Sequence, residues 1–237
     1  MTEKREASLI KTQLQKVRNR LRAAERATGR TAGSVGLVAV SKTRPVDDLL
    51  SAYEEGQRDF GENYLQEALE KIAALPAADI IWHFIGPLQS NKTRAIAEQF
   101  DWVHSVDRLK LARRLSEQRP PEKPPLNLCL QVNISGEASK SGVNLRDLPQ
   151  LAQAVDALPG IKLRGLMAIP APSDDPQVQR EPFRALHHAL EQLRSDGLEL
   201  DTLSMGMTDD LEAAVAEGAT LVRIGTAIFG PRAKKST

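Results

Sequence analysis

From residue 36 onward, short apolar runs alternate with longer stretches in which apolar residues recur every three or four positions. The short runs fall at 36–41 (GLVAVS), 58–60 (RDF), 80–85 (IIWHFI), 102–105 (WVHS), 126–133 (LNLCLQVN), 161–168 (IKLRGLMA), 200–204 (LDTLS) and 220–224 (TLVRI). They predict strands, and the stretches near 46–56, 62–74, 91–99, 107–118, 145–157, 178–196 and 208–217 predict helices. Eight strands in this rhythm match the count of a (β/α)₈ barrel, an α/β fold. The strands are continuously apolar, as parallel strands covered on both faces are. Ahead of them, 3–28 predicts one helix, with Leu9, Leu14, Val17, Leu21 and Ala24 at helical spacing. The segments 119–125 (RPPEKPP) and 170–177 (PAPSDDPQ) predict loops, the second a candidate flap. The rhythm resumes after both, so residues 1–237 are expected to form a single domain.

Composition narrows the partners more than the fold. The 237 residues carry 32 basic and 31 acidic side chains, net +1, so nothing in the charge points to nucleic acid. The one cysteine, Cys129, has no internal disulfide partner, which fits a reducing setting. The first residues are charged and lack a signal-peptide core, and the apolar runs fall far short of a membrane span. A soluble, cytoplasmic protein without membrane contact is expected.

In a barrel of this kind, chemistry sits at the C-terminal ends of the strands. The first strand runs directly into Ser41-Lys42, a lysine at the mouth. The segments after strands seven and eight, "SMGMTDD" (204–210) and "RIGTAIFG" (223–230), each offer hydroxyls, glycine for close backbone approach, and a helix start. That is where barrels often seat a phosphate. Ordinary capping by Thr208 is the plainer alternative. A partly buried lysine keeps a nucleophilic amine that can condense with a carbonyl. Lysine plus phosphate fits either pyridoxal 5′-phosphate (PLP) or a class I aldolase substrate, and residue types alone leave both open, beside a solvated Lys42.

Longer motifs go further. "AVSKTRP", "FGENYLQE", "WHFIGPLQSNK", "VHSVDR", "QVNISGEASKSG", "GLMAIPAP" and "LSMGMTDDLEAAVAEGATLVRIGTAIFG" together resemble the pyridoxal phosphate homeostasis protein family over about residues 8 to 231. That family is similar in fold to the N-terminal barrel of alanine racemase, the fold-type III group of PLP proteins. The resemblance implies that Lys42 holds PLP as a Schiff base. It implies a phosphate cradle of Ser204, Thr208, Gly225 and Thr226, with Arg223 facing the pyridine nitrogen and Asn63 and Met205 lining the cofactor. His83, within "WHFIG", is as readily a satisfied core histidine as a ring contact, and Lys140 is a solvated loop lysine with a secondary PLP contact as the alternative. Relatives that carry a second lysine two positions after the first have Arg44 in its place here, which removes that amine from any handover of PLP.

An arginine at the ring nitrogen disfavours protonation and weakens PLP as an electron sink. The sequence ends at Thr237, with no residues left for a racemase's second domain, and both tyrosines, Tyr53 and Tyr64, fall in predicted helices. The expected function is therefore non-catalytic: binding PLP, buffering the free aldehyde and serving apo PLP-dependent enzymes, as a monomer. No metal is expected. The alternative is a single-domain PLP-dependent amino-acid racemase; an aldolase is weaker, since such lysines commonly sit on a later strand.

Overall fold

A computed structural model describes residues 2–76, 79–135 and 141–231, the first five of these by backbone alone. Lys140 lies outside the described residues. Eight parallel strands close into a barrel in chain order: β1 Gly36–Val40, β2 Asp59–Glu62, β3 Ile81–Phe84, β4 Trp102–Val106, β5 Leu126–Gln131, β6 Ile161–Met167, β7 Thr202–Ser204 and β8 Leu221–Ile224. Closure comes from β1 against β8, where Gly36 to Ala39 pair with Leu221 to Ile224. The helices are α1 Thr2–Ala27, α2 Val46–Glu54, α3 Leu65–Ala74, α4 Thr93–Gln99, α5 Leu109–Gln118, α6 Leu148–Asp156, α7 Pro176–Ser195, α8 Leu211–Ala216 and the short α9 Thr226–Phe229. All eight predicted strands and the (β/α)₈ closure are present, with no strand end moved by more than two residues.

The main core lies between the strands and the helices around them. Phe60, Phe84, Phe100, Phe183, Leu111, Leu115 and Leu186 are among its fully buried members. Burying an aliphatic or aromatic side chain of this size contributes about 1.5–3 kcal/mol. The strands also approach closely at Gly165, where an added Cβ would fall 1.8 Å from the Thr202 carbonyl oxygen, so only glycine fits between β6 and β7.

Helix α1 packs on α2, α8 and α9, over the seam where first and last strands meet. Its buried stripe is Ile10, Leu14, Val17, Leu21 and Ala24. The expectation for Leu9 is corrected: it is exposed, and Ile10 takes its place because steps of four, three, four and three keep one helical face. Polar groups lock the helix down. The Glu25 carboxylate, itself buried, accepts from the Gly33 and Val35 N–H groups at 2.9 and 2.8 Å. Arg20 forks onto both Glu212 oxygens at 2.5 Å and donates to the Thr208 carbonyl at 2.6 Å. Beyond β6, the loop ends two residues earlier than 170–177 predicts, since Asp175 accepts from Gln177 N at 2.8 Å and caps α7 from Pro176.

Candidate functional site

At the C-terminal mouth of the barrel lies a cavity of about 220 Å³, lined by Val40, Lys42, Asn63, Ile85, Ile169, Met207, Thr208, Asp209, Arg223, Gly225 and Thr226. Six of the eight sequence candidates thus meet in one space: Lys42, Asn63, Thr208, Arg223, Gly225 and Thr226. Neither tyrosine lines it; Tyr53 faces outward to Asp79 at 2.6 Å and Tyr64 is exposed.

Lys42 follows β1 in a tight turn closed by Arg44 N–H to the Ser41 carbonyl at 3.1 Å. The next residue, Thr43, has φ 64°, a left-handed conformation that costs a β-branched side chain energy. Buried charges on β2 and α3 hold this turn. The Lys71 ammonium donates to the Ser41 carbonyl at 2.7 Å, to Glu62 at 2.7 Å and to Glu67 at 2.5 Å. Ser41 Oγ donates to Glu62 at 2.6 Å, and the Thr43 N–H donates to Glu67 at 2.5 Å. Both neighbours of Lys42 are therefore tied to one ionic cluster. Burial pushes the Glu62 carboxyl above the usual range, against the pull of Lys71 and Ser41. Arg44 does not enter the larger cavity; its guanidinium donates to the Gly230 carbonyl and, at 2.8 Å, to that of Pro231.

Beside Lys42, since β8 pairs with β1, the loops after β7 and β8 bring Thr208, Gly225 and Thr226 together. Gly225 is the N-cap of α9, whose first N–H groups have no carbonyl of their own helix to meet. An added Cβ at Gly225 would lie 3.1 Å from the Val40 carbonyl oxygen, so the glycine lets this loop press against the end of β1. Asn63 is set by the close approach of Gly86, where a Cβ would fall 2.1 Å from the Asn63 carbonyl oxygen. Its side-chain Oδ1 is buried with no hydrogen-bond partner.

Arg223 forms the deeper wall and is buried. It donates to Ser204 Oγ at 2.7 Å and to the Ala168 carbonyl at 3.0 Å. Burial lowers its pKa to about 10, with Asp210 pulling the other way, so it is still a cation at neutral pH. Two expectations are corrected here. Ser204 and Met205 are fully buried and do not line the cavity. The Ser204 hydroxyl is taken up by Arg223 and by His104 Nδ1 at 2.7 Å, below the cavity floor. His83 is the satisfied core histidine, between Asp59 and His104. Ile85, Ile169, Met207 and Asp209 line the cavity without having been singled out. Their only signal was position, one or two residues past a strand end or beside Thr208.

Thr208 neither starts nor caps α8, which begins at Leu211 with Asp210 as N-cap; a primary amine, the Thr226 hydroxyl at the start of α9, the Thr208 hydroxyl in a turn and a buried cation form a donor set that suits a phosphorylated aldehyde with a basic ring. The unpartnered Asn63 oxygen marks a polar position that such a ligand could occupy. The described residues hold no cluster of three or more metal-ligating side chains, and no helix among them is long and apolar enough to cross a membrane.

Comparison with known proteins places these residues among relatives. Residues 12–233 match the model of the alanine racemase N-terminal domain family. The chain is 61% identical, over 95% of its length and 96% of the relative's, to the "Pyridoxal phosphate homeostasis protein" of Pseudomonas aeruginosa. It superposes with a TM-score of 0.81 and 37% identity on PipY of Synechococcus elongatus, solved with PLP bound, over 93% of this chain and all of that one. An alanine racemase from Corynebacterium glutamicum shares the fold alone, at TM-score 0.70 and 19% identity, over 94% of this chain and 60% of that one.

Proposed function

The chain belongs to the pyridoxal phosphate homeostasis protein family, and from that premise we propose that it holds pyridoxal 5′-phosphate on Lys42 in the mouth cavity and serves intracellular vitamin B6 homeostasis without catalysing a reaction of its own. The observation that carries this reading is the convergence of Lys42, Thr208, Thr226 and Arg223 on a single cavity. When bound, the cofactor supplies an aldehyde open to reversible condensation with an amine, a pyridine ring and a phosphate. Lys42 presents the amine, on a turn fixed from behind by Lys71 and Glu67. Thr208, Thr226 and the first N–H groups of α9 would donate hydrogen bonds to the phosphate. Asn63 adds an amide to the same cavity wall.

The non-catalytic part of the proposal rests on Arg223. A guanidinium that remains cationic at neutral pH would, facing the ring nitrogen as the family resemblance implies, oppose a second positive charge there. It favours keeping the cofactor over using it to stabilise a carbanion. Apo PLP-dependent enzymes are the recipients this reading implies.

Borohydride reduction of the PLP-loaded protein should fix the cofactor on the peptide containing Lys42. Incubation with each enantiomer of several amino acids should give no more turnover than free PLP; clear racemisation above it would sink the carrier reading in favour of a racemase.

A further inference from the structure

The interior of a (β/α)₈ barrel is ordinarily filled with branched aliphatic side chains. Here Val38, Val40 and Ile85 keep to that rule, since all three crowd the space in front of Gly61. Between β2, β3, β4, β7 and β8, however, an unbroken line of polar groups crosses the interior. Arg223 Nη1 lies 2.7 Å from Ser204 Oγ, and Ser204 Oγ lies 2.7 Å from His104 Nδ1. His104 Nε2 lies 2.9 Å from His83 Nδ1, and His83 Nε2 lies 3.0 Å from Asp59 Oδ1. Ser204, His83, His104 and Arg223 are all buried, and Trp102 stacks on His83 at 5.6 Å. Asp59, at the opposite end of the barrel, is partly exposed and opens on a second cavity of about 320 Å³ that Arg18, Arg22 and Arg58 also line.

The protons in this line are assigned from the Asp59 end. The Asp59 carboxylate only accepts, so His83 donates through Nε2–H. With its proton there, His83 accepts at Nδ1, so His104 donates through Nε2–H. Burial, with the Arg223 cation beside it, holds the His104 pKa well below the usual imidazole range, so its Nδ1 keeps a lone pair and accepts. The Ser204 hydroxyl therefore donates to His104 and accepts from Arg223, which only donates.

We propose that Asp59, His83, His104 and Ser204 are positioning residues for Arg223: a one-way hydrogen-bond relay that fixes both imidazoles as Nε2–H tautomers and steadies the guanidinium against the cofactor cavity. Every bond points its proton from Arg223 toward Asp59, so a carboxylate at the far end of the barrel acts as the remote counter-charge of a buried cation. The relay rests on the proposed function only in what Arg223 is held for; the tautomers follow from the chain's own groups.

Long-range ¹H–¹⁵N correlation on the apo protein reads the tautomers directly, and with four histidines in the sequence the signals are assignable. Both His83 and His104 should be Nε2–H at neutral pH; an Nδ1–H form at either overturns the relay, whatever becomes of Lys42. Asp59→Leu should release the His83 and His104 tautomers into a mixture and raise the PLP dissociation constant by about tenfold, the effect of losing one charge-assisted hydrogen bond. Asp59→Glu should restore both. An unchanged His104 signal together with unchanged PLP affinity in Asp59→Leu would refute the proposal. Should Asp59→Leu fail to fold, the wild-type tautomers still decide it. Failure of borohydride to label Lys42, with both tautomers as assigned, would instead refute the function and leave the relay standing.

Discussion

The place of Lys42 at the barrel mouth was legible in the sequence, because it directly follows a buried run; its chemistry was not, because a solvated strand end reads the same way. Lys42→Ala should lose both the borohydride-fixed cofactor and the visible absorbance band of the PLP-loaded protein; a band retained at equal occupancy would contradict the assignment. Thr226→Val removes one hydroxyl from the proposed phosphate end without touching the amine. The PLP dissociation constant should rise by about tenfold, on the scale of one hydrogen bond to a charged group, with the band position unchanged. Ser204 was misplaced for a physical reason. Its neighbours marked the right loop, but β7 turns Ser204 into the barrel interior, where Arg223 and His104 take up its hydroxyl away from the residues that line the cavity. Nothing in "LSMGMT" shows that two buried partners claim that hydroxyl.

At the scale of elements, strand and helix existence was legible because buried parallel strands are continuously apolar and the helices that cover them are amphipathic. What could not be read was how elements reach one another. Lys71 looks like an ordinary solvated residue within "QEALEK", yet it is buried against Glu62, Glu67 and the Ser41 carbonyl. Removing one partner of a buried ion pair leaves an uncompensated charge. Lys71→Met should therefore destabilise the protein by about 3–5 kcal/mol, measured by urea unfolding. A loss below about 1 kcal/mol would mean the cluster is solvated in solution. Gly86→Ala puts a methyl group into the Asn63 backbone, so it should weaken PLP binding although Gly86 does not line the cavity.

At the scale of the molecule, the interior that holds the relay also holds Cys129. Burial raises its thiol pKa from about 9.0 to about 12, so it stays neutral and shielded in the folded protein. The sign follows from linkage. Between about pH 9 and 10 the unfolded chain gives up the thiol proton and the folded chain keeps it, so stability falls as pH rises, by up to about 1.4 kcal/mol per unit. Above about pH 10 the lowered pKa of Arg223 acts in the opposite direction, because the unfolded chain then binds the extra proton. Cys129→Ala should flatten the decline between pH 9 and 10 relative to wild type in urea titrations. Thiol reagents should label wild-type Cys129 no faster than the protein unfolds.

The seam between β1 and β8 has a consequence in time as well as in space. Lys42 is made early and Thr208, Arg223 and Thr226 are made late, so the ribosome must deliver nearly the whole chain before amine and phosphate seat can meet. Closing that pair spans the longest sequence separation in the barrel, which makes it an entropically costly contact and a late one. A nascent or truncated chain has no complete pocket to offer. Ligand binding can then favour only finished molecules, and adds to their stability in proportion to the logarithm of free cofactor over its dissociation constant. On the proposed function, cofactor supply would therefore favour the completed chain over its fragments.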